Sequence, residues 1–229
     1  MISNTVCFIG HRNQKLPWKD KIDLRYALTR IAVQKEIEIC ISNGKTHFIS
    51  GMTLGFDIMC SRIVLDLKEK YPFITLECAL PYYDQDKYWS LGDKIIYKNI
   101  LERADKVRCI YDHYTRGCMR ERNRYMVNSS SMVIALFDNI AGGTEKTIAY
   151  AKKQGKYVVI IPPSQERVYT SKVLELLLAD YIDSEPDISE EKIMARKRLL
   201  SSLYMQVDND ENYLLSRYFW SSIWVTSSK

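Results

Sequence analysis

Between residues 5 and 161, short continuous apolar runs alternate with longer stretches in which apolar side chains recur every three or four positions. The runs Thr5–Ile9, Thr46–Ile49, Ile74–Leu80, Val107–Tyr111, Met132–Phe137 and Tyr157–Ile161 predict six strands. The intervening stretches predict helices over Asp20–Ile41, Leu54–Lys70, Lys94–Arg103, about Arg116 to Ser129, and Thr144–Gln154. Gly44 and Pro72 stop helices, Pro81 is expected to close the third strand, and Pro162-Pro163 follows the sixth. Strands that are apolar throughout, rather than alternating, belong to parallel sheets covered on both faces. Strands separated by helices give right-handed crossovers. The expected fold is therefore α/β: a Rossmann-like, doubly wound, mostly parallel sheet, with ligands held beyond the carboxyl ends of its strands.

Past Pro163 the pattern changes. Residues 171–182, 189–204 and 210–225 each read as a helix, and no strand alternates with them. Two parts are expected: a Rossmann-like domain over 1–163 and a helical C-terminal extension over 164–229, with "DSEPD" as a hinge. The last helix carries Tyr213, Tyr218, Phe219, Trp220 and Trp224, which suit either an interaction surface or packing back onto the α/β domain.

Composition narrows the picture. No apolar run approaches the ~18 residues of a membrane span, and "MISNTVCFIGHR" lacks the basic and apolar regions of a secretory signal. The six cysteines, at 7, 40, 60, 78, 109 and 118, form no C-x-x-C pair and keep no metal-ligand spacing with histidine. They point to buried free thiols in a reducing cytoplasm, with no metal and no cofactor expected. The charge is uneven: residues 1–169 carry 26 Lys/Arg against 18 Asp/Glu, and residues 170–229 carry 7 against 10. That bias suits an anionic partner, nucleotide or nucleic acid, or a solvated basic surface.

The loops after the strands hold the candidate chemistry. Gly10-His11-Arg12 follows the first strand; glycine permits a tight turn, and a guanidinium matches phosphate or carboxylate. "SGMTLGFD", Ser50 to Asp57, follows the second and opens a helix, so that its Gly51 and Gly55 suggest an anion cradle. Asp57 there either complements the helix dipole or accepts from a ribose hydroxyl or base amine. Pro81-Tyr82-Tyr83 and Trp89 are either a stacking platform or a satellite core. Arg116, Arg120, Arg122 and Arg124 crowd into nine residues beside Asn123 and call for an anion or for Glu121 and Glu145 as partners. After the fifth strand, Asp138 leads to Gly142-Gly143-Thr144 at a helix start, a second phosphate cradle or a glycine turn with a threonine cap.

In this order, "CFIGHR", "HFISGMTLGFDIMCSRIVLDLKEKYP", "LECALPYYDQDKYW", "GCMRERNRYMVNSSSMVIALFD" and "GGTEKTIAYAKKQGK" resemble the YpsA-like family of the SLOG superfamily, related to DprA/Smf and to LOG nucleotide phosphoribohydrolases. The resemblance covers about residues 5–162. It implies a nucleotide-type ligand held by Gly10, Arg12, Ser50, Gly51, Gly55, Asp57, Arg122, Asn123, Gly142, Gly143 and Thr144, and a homo-oligomer, a dimer first. One departure matters. LOG hydrolases carry P-G-G-x-G-T-x-x-E, and here Thr147 stands in the place of that glutamate. A hydroxyl cannot stabilise an oxocarbenium-like transition state as a carboxylate does, and Glu145 is displaced by two residues. Ligand binding is thus the first expectation, an N-glycosidase using Asp57 or Glu145 the second, and DprA-like nucleic-acid binding the third.

Overall fold

The computed structural model describes residues 2–18 and 24–163. The start of the first expected helix, the three helices expected after Pro163, the hinge and the aromatic segment lie outside the described residues. Six strands are present: β1 (Thr5–Gly10), β2 (His47–Ser50), β3 (Thr75–Tyr82), β4 (Lys106–Tyr111), β5 (Met132–Leu136) and β6 (Tyr157–Ile161). Among the described residues the helices are α1 (Leu24–Ser42), α2 (Phe56–Lys70), α3 (Leu91–Arg103), α4 (Cys118–Asn128) and α5 (Gly143–Lys153). Residues 2–16 and 36–163 form the compact unit that carries the sheet. The described part of a second unit is residues 17, 18 and 24–35, where the Trp18 ring meets Tyr26 edge-on at 5.9 Å.

All six strands are parallel, in the order β4-β3-β2-β1-β5-β6. The chain winds outward from β1 to β4, then returns through α4 to place β5 on the other side of β1. The switch point lies between β1 and β5, where a doubly wound sheet opens its ligand crevice. Alternation along β1 sends side chains to two cores. Phe8 stacks on Phe48 at 6.0 Å and meets Phe56 of α2 edge-on at 6.4 Å. Cys7 and Ile9 join Val133, Ala135, Met126, Val127 and Ile148 beneath α4 and α5. Each large buried side chain contributes roughly 1.5–3 kcal/mol; slipping β1 by one residue would exchange the two sets and forfeit both.

Two expectations about the strands need correction. Pro81 does not close β3, which continues to Tyr82 opposite Tyr111. Proline is tolerated because β2 ends at Ser50 opposite Cys78, so no ladder partner remains on that side. Nor is every strand buried on both faces. The outermost strands are open to solvent, with Val107 of β4 46% exposed and Tyr157 of β6 66% exposed.

Candidate functional site

The two loops at the carboxyl ends of β1 and β2 are joined to each other. Asn13 N–H donates to Leu54 O (3.3 Å), Phe56 N–H donates to His11 O (3.3 Å), and Arg12 pairs antiparallel with Gly55. Gly55 has φ +114°, a conformation side chains rarely adopt. In this zipper the first loop packs against the expected anion cradle and takes the Phe56 N–H at the N-terminus of α2. Ser50 is a buried hub. Its Oγ donates to Asp57 O (3.0 Å) and accepts from Ser61 Oγ (2.7 Å) and Met52 N–H (3.3 Å).

Arg122 of α4 reaches under these loops. Its Nη1 donates to Gly51 O, and Nη1 and Nη2 both donate to Thr53 Oγ1 (3.1 and 3.2 Å). A Cβ on residue 51 would crowd the Arg122 guanidinium and the Asp57 carboxylate, so glycine suits this close approach. Asp57 Oδ2 accepts Thr53 N–H (3.1 Å) and stands 3.7 Å from Arg122 Nη1. Both side chains are buried. Burial raises the Asp57 carboxyl above its ordinary range, against the pull of Arg122 and of the Thr53 bonds. Burial lowers Arg122, against the pull of Asp57. Among the described residues, Arg122 Nε is the buried side-chain nitrogen or oxygen without a hydrogen-bond partner, an arrangement that native sites reserve for water or ligand.

Across the switch point, His11 Nε2 lies 2.8 Å from Asp138 Oδ1, which also accepts Ile140 N–H (3.2 Å). His11 Nδ1 lies 3.5 Å from Thr144 Oγ1, at the outer limit of hydrogen-bond reach. The Gly142-Gly143 pair opens α5, whose first N–H groups lack intrahelical partners. Gly142 N–H is taken by Glu145 Oε2 (3.3 Å). Thr147 Oγ1 donates to Gly143 O (2.8 Å) and accepts from Asn123 Nδ2 (2.9 Å), tying α5 to α4.

These elements enclose an open cavity of about 280 Å³. Gly10, His11, Arg12, Asp57, Arg122, Asn123, Gly142, Gly143 and Thr144 line it, so nine of the expected site residues come together. Ser50, Gly51 and Gly55 stand behind the lining and shape it. Asp138 is not among the lining residues, and its Oδ1 faces His11 Nε2 and accepts Ile140 N–H. Arg124 does not reach the cavity: it pairs with Glu121 (3.6 Å) and covers the Tyr150 ring at 5.5 Å. Arg120 also turns to Glu121 (3.2 Å), and Arg116 precedes α4 altogether. The expected arginine cluster thus reduces to Arg122. Glu145 is an exposed helix cap and Thr147 is buried between helices; neither lines the cavity.

Gln14, Lys15, Thr53 and Met119 also line it and were not expected. Lys15, in the 3-10 turn Asn13–Lys15, donates to Ala141 O (3.4 Å) at the cavity mouth. Its only signal in sequence is a cation three residues after Arg12. Among the described residues no cluster of three or more His, Cys, Asp or Glu is placed to hold a metal. Burial pushes the Cys7, Cys40 and Cys78 thiols up to about 12, which leaves them inert as nucleophiles.

Known proteins share this framework. A model of the YspA SLOG family matches residues 6–160. The SPbeta prophage-derived protein YoqJ of Bacillus subtilis (strain 168) is 32% identical over 128 residues, spanning 51% of this chain and 75% of YoqJ. A UPF0398 protein of Bacillus pumilus (strain SAFR-032) is 27% identical over 130 residues, spanning 56% of this chain and 69% of that protein. Among solved structures, DNA processing protein A (DprA) from Streptococcus pneumoniae matches with a TM-score of 0.50 at 16% identity, over 84% of this chain and 61% of that one, a likeness of fold alone.

Proposed function

The chain belongs to the YspA SLOG family, and from that premise we propose that its Rossmann-like domain binds a nucleotide or nucleotide-derived small molecule in the cavity at the β1/β5 switch point. The observation that carries this reading is the charge of the lining: among the described residues, Arg12, Lys15 and Arg122 face it against a single carboxylate, Asp57. The start of α5 adds the positive end of a helix dipole. Such a lining attracts an anion, and its volume, at the small end of ligand pockets, suits one sugar and one phosphate better than an extended polymer.

Binding rather than glycosidic cleavage fits the placement of the carboxylates. Glu145 caps a helix outside the cavity, and the carboxylate of Asp57 is engaged by Thr53 and Arg122. A thermal-shift screen of the purified, ligand-free chain against nucleoside mono-, di- and cyclic phosphates tests the reading. At least one nucleotide raises the melting temperature, and the gain is lost in Arg12→Ala. Absence of any stabilisation, together with a salt-sensitive mobility shift of single-stranded DNA, would overturn it in favour of nucleic-acid binding.

A further inference from the structure

Two hydrogen-bond chains behind the cavity determine which polar atoms it offers. The first begins at Asp138. Oδ1 accepts Ile140 N–H and faces His11 Nε2 at 2.8 Å. A carboxylate oxygen only accepts, so Nε2 carries a ring proton, and in the neutral imidazole Nδ1 is then the bare nitrogen. Thr144 Oγ1, 3.5 Å from Nδ1, can then approach it only by donating its hydroxyl proton. What remains for the cavity is the oxygen lone pairs of Thr144. The second chain begins at Gly143. Its carbonyl takes the Thr147 hydroxyl proton at 2.8 Å, so Thr147 Oγ1 must accept from Asn123, at 2.9 Å. That assigns the amide nitrogen of Asn123 to Thr147 and, among the described residues, leaves its oxygen uncommitted. Both Thr144 and Asn123 line the cavity.

We propose that Thr144 and Asn123 are specificity-determining acceptors that read sugar hydroxyl groups, while the phosphate of the same ligand lies toward Arg12 and Lys15. The inference rests on the nucleotide reading and reassigns Thr144, which a glycine-threonine helix start would otherwise mark as a phosphate donor. With its hydroxyl proton turned toward His11, the Thr144 oxygen repels phosphate oxygens and attracts a hydroxyl. The cavity therefore has a cationic donor side at its mouth, Arg12 and Lys15, and an acceptor side of Thr144 and Asn123. A ligand that satisfies both is a phosphorylated sugar with free hydroxyls, such as a ribonucleotide, and a deoxyribose or O-alkylated counterpart leaves an acceptor unpaired.

Isothermal titration of the full chain at pH 8.5 with adenosine 5′-monophosphate, its 2′-deoxy and 3′-deoxy analogues and inorganic phosphate tests this. The ribonucleotide is expected to bind, with at least one deoxy analogue weaker by roughly tenfold, the cost of one unpaired buried acceptor. Thr144→Val should weaken the ribonucleotide and level it with that analogue, whereas Thr144→Ser keeps the difference. A general packing defect would weaken all probes alike and leave their ratio unchanged. Equal affinity of the wild type for all three nucleotides, or a ratio that survives Thr144→Val, overturns the inference and leaves nucleotide binding standing. Absence of binding by every phosphate-bearing probe overturns the nucleotide reading itself.

Discussion

His11 and Asp138, 127 residues apart in the chain, meet at 2.8 Å across the gap where β1 and β5 diverge. Both side chains are at least nine-tenths buried, so neither has water to fall back on. Asp138→Ala should leave His11 Nε2 without an acceptor and cost about 1–3 kcal/mol of stability. Ligand affinity should fall as well, although Asp138 does not line the cavity, because the ring that orients Thr144 is released. Asp138→Asn, which keeps an oxygen for Ile140 N–H and His11, should recover most of both. Urea denaturation and the nucleotide thermal shift, run on the three proteins, decide the matter.

Gly143 separates fold from ligand. A Cβ built there meets nothing within 4 Å, and the residue opens α5 at the cavity wall. Gly143→Ala should leave the melting temperature unchanged or slightly raised, since alanine is favoured over glycine in a helix by up to about 1 kcal/mol. The added methyl should nevertheless crowd whatever lies against the first turn, and nucleotide-induced stabilisation should shrink or vanish. A variant that binds as well as the wild type would show that the ligand does not approach the helix start.

Glu77 of β3 governs the acid limit of the domain. It is buried, and although burial alone would raise its pKa, bonds from His47 (3.2 Å), Lys106 (2.7 Å) and Tyr125 (2.5 Å) bring it down to about 2 from an ordinary 4.5. A carboxyl depressed on folding stabilises above its unfolded value and loses that contribution as pH falls toward its folded one. Stability should therefore drop between about pH 4.5 and pH 2 by about 3 kcal/mol. Glu77→Gln should be less stable at pH 7 and nearly level with the wild type at pH 2 over the same interval. Denaturant midpoints measured across that range check both statements.

Much of this was legible in the sequence, for reasons visible in single residues. Val6 to Ile9 and Met132 to Leu136 are apolar without a break because strands at the centre of a parallel sheet have no solvent face. Their order, with helices between, is enough to place Gly10, Asp57, Gly142 and Thr144 at carboxyl ends. The arginine-rich stretch was legible only in part. Glu121 stood out as a partner and does take Arg120 and Arg124, but crowding alone did not say which arginine turns inward. Arg122, set at a different angle, is the one that enters the site. The Ser50–Asp57 loop looked like an open cradle because the chain packed against it, His11 O and the residues after it, comes from about 45 positions before Phe56. Pro81 misled for the same reason: whether a proline breaks a strand depends on where the neighbouring strand ends.

The rim of the cavity should respond to salt, and its floor should not. Arg12 and Lys15 are exposed, whereas Arg122 is 5% exposed and bonded to Gly51 and Thr53. Charges in contact with solvent are screened over about 10 Å at 0.1 M salt, buried ones much less. The double variant Arg12→Ala/Lys15→Ala should fold with an unchanged melting temperature, because neither side chain is part of the core. Its affinity for a nucleoside monophosphate should fall by about tenfold or more, as charge-assisted contacts to phosphate are lost. The remaining affinity should vary less with ionic strength than that of the wild type. Arg122→Met should behave in the opposite way. It strands the buried carboxylate of Asp57, so stability should fall by about 3–5 kcal/mol before any effect on binding is read. Titrations at low and high salt, paired with thermal melts, separate the two. A double variant that keeps its affinity, or keeps its full salt dependence, would move the phosphate away from the rim.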